Sequence, residues 1–283
     1  MTDLIKDLRH TFRLLVKQPG FTLVVLITLA LGIGANTAIF SVVNSLLLKP
    51  LPYAQADRLA LLWGVETDTK LNYRSQVSAT DAADWRTQNS VFEDLTTYGS
   101  WSATLTGAGE PERLYGMQVG EGYFSVMRGK PLLGRVFTAE DQIHGKDQVI
   151  VLGHDLWKRR FAGDPNIIGQ KVRLGGTPYT IVGVMPEAFA PLPKSLVDYR
   201  ADFYRPVAEK YDDADRSSRH LRAIGRLKPG VIIERAQSEL STIAARLEKA
   251  HPTTNSGYGL RVTTLAADTV GGLRSGLLML LGA

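Results

Sequence analysis

The stretch Phe21-Thr-Leu-Val-Val-Leu-Ile-Thr-Leu-Ala-Leu-Gly-Ile-Gly-Ala-Asn-Thr-Ala-Ile-Phe-Ser-Val-Val-Asn-Ser-Leu-Leu-Leu48 contains no Asp, Glu, Lys or Arg over about 28 residues. About 20 apolar residues suffice to cross the hydrocarbon core of a bilayer. A single charge at its centre costs a few kcal/mol, so an uninterrupted absence of charge is what a spanning helix requires. A buried helix of a water-soluble protein is usually about half as long, and a cleavable leader has an apolar core of only about 7–15 residues. The sequence therefore predicts an uncleaved membrane helix over 20–48.

The flanks orient it. Lys6, Arg9, Arg13 and Lys17 precede the run, whereas Lys49 and Arg58 follow it and are partly offset by Asp57 and Glu66. The positive-inside rule places residues 1–19 in the cytoplasm and everything after Leu48 on the far side. Within 1–19, Leu4, Ile5, Leu8, Phe12 and Leu15 recur at helical spacing among basic residues, the pattern of a segment lying on the inner membrane surface. Pro19-Gly20 permits the bend into the span.

At about 100° per residue, Ala30, Gly34, Thr37, Ala38, Ser41, Asn44 and Ser45 fall on one side of that helix. Small and hydroxyl side chains gathered on one face let another helix approach closely, and Asn44 or Thr37 can hydrogen-bond across. The face predicts partner helices and hence a larger assembly. Near the other end, Leu277-Leu-Met-Leu-Leu-Gly-Ala283 follows Gly271-Gly272 and Arg274. Seven residues rise only about 10 Å as helix, so 271–283 reads as the start of a second, truncated span.

Between these segments, 49–270 reads as mixed α/β. Leu59–Val65, Arg113–Val119, Gln148–Leu152 and Leu260–Leu265 are strand-like, and Lys171–Leu174 with Pro178–Met185 flank Gly175-Gly176 as a hairpin. Leu221–Lys228 alternates as a half-buried strand. Ser78-Ala-Thr-Asp81 is a helix-starting box ahead of Ala82, Ala83 and Trp85, and Glu140-Asp141 opens a turn or helix. A helix carries Leu156, Trp157 and Phe161. Another places Ile233, Ala236, Leu240, Ile243, Ala244, Leu247 and Ala250 on one face before Pro252. Trp85, Tyr123, Phe124, Trp157 and Phe161 read as core residues. Leu192–Ser218 reads as a crossing between two small lobes.

The net charge of +5 comes from 33 basic and 28 acidic residues interspersed along the chain, and the densest group, Lys158-Arg159-Arg160, is one turn of an amphipathic helix. That is a solvated face rather than a nucleic-acid stripe. The absence of Cys excludes disulfides and cysteine-ligated metals. No G-x-x-x-x-G-K-[ST], H-E-x-x-H or G-x-S-x-G occurs, and Gly32-Ile-Gly34 lies inside the apolar run, where helix packing explains it. His10, His144, His154, His220 and His251 follow no ligand spacing, and Asp212, Asp213 and Asp215 lack the glycine and closing glutamate of an EF-hand. No catalytic, cofactor or metal residue is assigned.

Leu31-Gly-Ile-Gly-Ala-Asn-Thr-Ala-Ile-Phe-Ser-Val-Val-Asn44 and Leu48-Lys-Pro-Leu-Pro-Tyr53 resemble the first membrane helix of macrolide-exporter (MacB) type ABC permeases, in the stand-alone branch. Gly122-Tyr-Phe124, Gly134-Arg-Val-Phe-Thr138, Leu156-Trp-Lys-Arg-Arg-Phe161, Ile167-Ile-Gly-Gln170, Tyr179-Thr-Ile-Val-Gly-Val-Met-Pro186 and Leu221-Arg-Ala-Ile-Gly-Arg-Leu-Lys-Pro-Gly230 follow in the family's order. The resemblance implies an α+β fold: a transmembrane helix, then a periplasmic core with a porter-like lobe (about 54–125 plus 215–270) and an inserted lobe (about 126–214). It also implies an inner-membrane permease that works as a dimer, with ATP on a separate subunit, a periplasmic adaptor as a further partner, and mechanical coupling across the membrane. The family's final helices are not in this sequence, so the piece alone is not expected to transport. The alternatives are an FtsX-like regulator of periplasmic partners and a membrane-anchored periplasmic enzyme.

Overall fold

The computed structural model describes residues 17–43, 51–66, 74–107, 109–189, 192–193, 195–208 and 216–269. The chain divides into two compact units, Met1–Pro50 with Val270–Ala283, and Leu51–Thr269. In the first, helix α1 covers Pro19–Val43, with side chains described continuously to Gly34 and again at Asn36 and Thr37. Among the described residues no helix is long and apolar enough to cross a membrane. The span foreseen at 20–48 thus rests on its sequence. The stretches 1–16 and 270–283, including the surface segment and the second span foreseen there, lie outside the described residues.

The second unit is built on one mixed sheet in the order β11-β1-β10-β3-β4-β9-β6-β8-β5, with β2 and β7 attached at its side. Its strands are β1 (Leu59–Glu66), β2 (Arg74–Ser75), β3 (Phe92–Thr106), β4 (Glu112–Val119), β5 (Leu133–Gly134) and β6 (Val149–Leu152). They continue with β7 (Lys171–Leu174), β8 (Thr177–Val184), β9 (Phe203–Pro206), β10 (Arg222–Leu227) and β11 (Tyr258–Thr264). The helices are α2 (Ala79–Gln88), the short α3 (Tyr123–Val126), α4 (His154–Phe161), α5 (Ile233–Ala250) and α6 (Pro252–Asn255). Strands before residue 126 or after 215 occupy one end of the order and those from 126–214 the other. The parallel pairing of β4 with β9 joins them.

Local chemistry explains most elements. Ser78 caps α2 by accepting from the Asp81 amide at 3.1 Å. Gly175 and Gly176 carry φ of 57° and 87°, the paired positive angles of a tight hairpin turn that other residues rarely adopt. On β1, Ala60 and Leu62 pack with Leu240, Ile243 and Leu247 of α5 and Trp85 of α2, while Leu59 and Leu61 face a second core around Tyr98, Tyr123, Phe124 and Tyr204. A third core joins Leu156 and Trp157 of α4 to Ile150, Leu152, Ile181 and Phe203. Trp85, Tyr123, Phe124 and Trp157 are buried, and Phe161 packs against the third core.

Two expectations change. β10 is not half-buried: every residue from Ala223 to Leu227 is buried, because Ala223 and Leu227 pack in one core and Ile224 in the second. Leu192–Ser218, read as a crossing, contributes strand β9, which pairs with both β4 and β6. Asp212, Asp213 and Asp215 lie outside the described residues.

Candidate functional site

The helix face foreseen on α1 is open where it is described. Ala30, Gly34 and Thr37 are exposed, and the space a Cβ would occupy at Gly32 and Gly34 is empty to 4 Å. Thr37 Oγ1 donates to Ile33 O at 2.7 Å, so its hydrogen goes to its own helix rather than across to another. Ala38 and Ser41 follow on the α1 backbone, and Asn44 and Ser45 lie outside the described residues. Around the helix Phe21, Leu23, Val24, Leu26, Ile27, Leu29, Leu31 and Ile33 are each more than half exposed.

In the second unit, the chain begins and ends on neighbouring strands. β1 and β11 pair antiparallel over seven residues, from Ala60↔Thr264 to Glu66↔Tyr258, which brings the first residues of β1 beside the last of β11. The outer edge of β11 is closed by α5: Gln237 Nε2 donates to Leu260 O at 2.8 Å, and its Oε1 accepts from Val262 N at 2.7 Å. One amide thus replaces a missing strand.

Beside β1, the buried guanidinium of Arg226 on β10 binds three carbonyls. Its Nε donates to Val126 O at 2.8 Å and its Nη1 to Ala54 O at 2.8 Å and Gln55 O at 3.1 Å. Opposite it, the register of β10 on β3 slips between Arg226 and Leu227, so that Glu93 is passed over as a bulge. Glu93 bonds to Arg58 and, at 2.7 Å, to Arg128. Arg58 Nε also donates to Leu227 O at 2.8 Å. Burial, then Arg128 and Arg58, press the pKa of Arg226 below its ordinary value, yet a guanidinium so perturbed stays charged. Its alternation with Leu227 pointed to a solvated side chain. The missed signal was that both faces of β10 are covered, Ala223 and Leu227 packing in one core and Ile224 in the other.

A second buried network joins Arg216 Nη1 to Asp81 at 2.8 Å and Asp84 at 2.7 Å, with Asn255 donating to Asp81 at 2.9 Å. Of the Lys158-Arg159-Arg160 group, Arg159 pairs with Glu112 and Asp202 and Arg160 with Glu112, while Lys158 lies over the Trp157 ring at 4.6 Å. A cleft of about 510 Å³ between α2, Thr96-Thr97 and Ala139–His144 is mostly apolar, and the Gln142 amide is spent on Val119 O. Among the described residues no three His, Asp or Glu gather as a metal site.

Residues 22–243 match the sequence profile of the MacB-like periplasmic core domain. The chain belongs to that family. It is 34% identical over 130 residues to the export ATP-binding/permease protein MacB of Pseudomonas entomophila (strain L48), a match covering 44% of this chain and 18% of that protein. Less than a fifth of this relative is therefore spanned. The fold of the MacB-like core agrees with the periplasmic region of MacB from Actinobacillus actinomycetemcomitans, at TM-score 0.52 and 18% identity over 79% of this chain and 94% of that one. A permease-protein domain from Porphyromonas gingivalis aligns at TM-score 0.53 and 15% identity, over 75% and 91% of the two chains. The extracellular domain of the noncanonic ABC-type transporter YknZ from Gram-positive bacteria aligns at TM-score 0.51 and 18% identity, over 72% and 99%. These likenesses are of fold, a mixed α/β core.

Proposed function

We propose that this chain is the N-terminal part of the permease subunit of an ABC-type export or mechanotransmission system. In this reading α1 is the first membrane helix, the N-terminus is cytoplasmic, and the core domain, with its porter-like and inserted lobes, lies in the periplasm. A separate cytoplasmic ATPase supplies the energy, the permease dimerises through helix faces such as Ala30–Ser45, and a periplasmic adaptor meets the core. In this reading the chain itself contributes no catalytic residue. ATP binds on the other subunit.

One observation carries the reading: a charge-free run of about 28 residues, 21–48, stands ahead of a domain that begins and ends on paired strands. About 20 apolar residues suffice to cross the hydrocarbon core. A displacement of the segments flanking the core would reach β1 and β11 as one unit. A periplasm-active reporter fused near position 60 should be active, and the chain should stay in vesicles after carbonate washing. A cytosolic reporter or a washed-off chain refutes membrane crossing. In the full-length permease, copurification of an ATPase whose hydrolysis rises with transported substrate supports export, and ATPase without such stimulation refutes it in favour of regulation.

A further inference from the structure

Arg226 joins two places far apart in sequence. On one side are the carbonyls of Ala54 and Gln55, in the turn through which the chain reaches β1; on the other is the carbonyl of Val126, at the end of α3 where the 126–214 segment begins. Both flanking backbones are held in a conformation that L side chains rarely adopt, with φ of 51° at Gln55 and 55° at Arg128. Such angles persist where surrounding contacts impose them. Arg226 is 1% exposed and no carboxylate bonds to it among the described residues, while Nη2 makes no hydrogen bond. A hydrophobic residue would fill this position at lower desolvation cost, and what the guanidinium supplies instead is a fixed geometry toward three carbonyls.

We infer that Arg226 is a positioning residue that couples the turn before β1 to the start of the 126–214 segment. The inference deepens the proposed function, because it makes this side chain the link through which movement of the leading segment reaches the inserted part of the core. A second route, Arg58–Glu93–Arg128, runs beside it, and the test separates the two.

The experiment reads amide exchange of the full chain in detergent, with neither ATPase nor bilayer. Gln55→Pro cannot hold the positive φ and disturbs the leading turn. In the otherwise unchanged chain it should speed exchange of the Met127, Arg128 and Gly129 amides about tenfold, the equivalent of about 1.4 kcal/mol. These amides are otherwise protected by Tyr123 O, Ser125 O and Phe124 O. In an Arg226→Met background Gln55→Pro should change them by less than about twofold. Equal acceleration in both backgrounds would place the coupling in Glu93 and overturn the inference, as would no acceleration in either. Unchanged protection of β6 and β8 reports that the variant folds. If Arg226→Met does not fold, Arg226→Lys is read by the same criteria, since an ammonium cannot hold both sides in the same fork. This test can fail while the reporter at position 60 upholds membrane crossing, and the reverse also holds.

Discussion

Gly64 of β1 lies beneath the ring of Tyr258, and adding one methyl group there should loosen the β1–β11 pair. A Cβ at position 64 would stand 1.7 Å from Tyr258 Oη, 2.3 Å from its Cζ and 2.6 Å from Ser75 Oγ. The Ser75 hydroxyl can rotate away, but the ring must move. In moving it gives up the 2.6 Å bond from Oη to Gln76 O and its stacking under Arg219, whose guanidinium carbon lies 3.8 Å from the ring centre. The lost hydrogen bond costs about 1 kcal/mol, the lost cation–π contact about 0.5–1, and the forced repacking about 1–3. Replacing a strand glycine by alanine returns at most about 1 kcal/mol. Gly64→Ala should therefore destabilise the core by about 1.5–4 kcal/mol, a fall in Tm of about 3–16 °C for a domain of this size. Thermal unfolding of the full chain in detergent, followed by circular dichroism, measures it. In a Tyr258→Ala background the same substitution should be nearly neutral, because the obstacle is gone. A Tm within about 2 °C of the parent, or an equal loss in both backgrounds, would refute the steric reasoning.

Asp141 accepts from Arg135 Nη1 at 2.5 Å and from the Thr138 amide and hydroxyl at 2.7 and 3.0 Å. Burial alone would raise its pKa, but these bonds outweigh it and hold the carboxyl below its ordinary range. A depressed folded-state pKa contributes stability above the unfolded pKa, and that stability is lost as pH falls through the folded value. The stability gap between the parent and Asp141→Asn, read from Tm, should therefore be full at neutral pH, about 1–3 kcal/mol, and shrink on acidification; a pH-independent gap would contradict the assignment. Gln237→Val removes the amide that seals the β11 edge and leaves Leu260 O and Val262 N without it, so amide exchange at Val262 should rise and the Tm fall by the equivalent of about 1–3 kcal/mol. On α1, Gly34→Leu or Ala38→Leu should lower crosslinked dimer in membranes about tenfold, whereas Ile39→Leu on the opposite side should leave it unchanged. Equal yields for all three would remove the packing face.

Elements whose signals are local could be read from the chain. The Ser78 cap, the Gly175-Gly176 turn and the apolar stripe of α5 each depend on residues a few positions apart, and each forms where expected. β3 carries Thr96-Thr-Tyr-Gly-Ser-Trp-Ser-Ala-Thr104, small and hydroxyl residues with weak apolar alternation, yet it spans fifteen residues because β10, β4 and β7 pair along it. β9 owes its existence to two strands far away in sequence. The role of Arg226 was illegible for a related reason. Period-two alternation states which residues share a face but not whether that face is covered, and three carbonyls from residues 54, 55 and 126 decide the matter. The α1 face rests on angular arithmetic from the sequence, and only Ala30, Gly34 and Thr37 are described as exposed members of it.

The antiparallel match of Ala60 with Thr264 gives the core a direction-dependent stiffness. Loads that pull the ends of β1 and β11 apart open their ladder from that terminus like a zipper, one rung at a time. Loads that carry both ends the same way along the strand axis put β1 in shear against β10, where the rungs from Leu59↔Arg226 to Leu62↔Ala223 resist together. The domain should yield readily to splaying while passing a lengthwise stroke into the sheet with little slack.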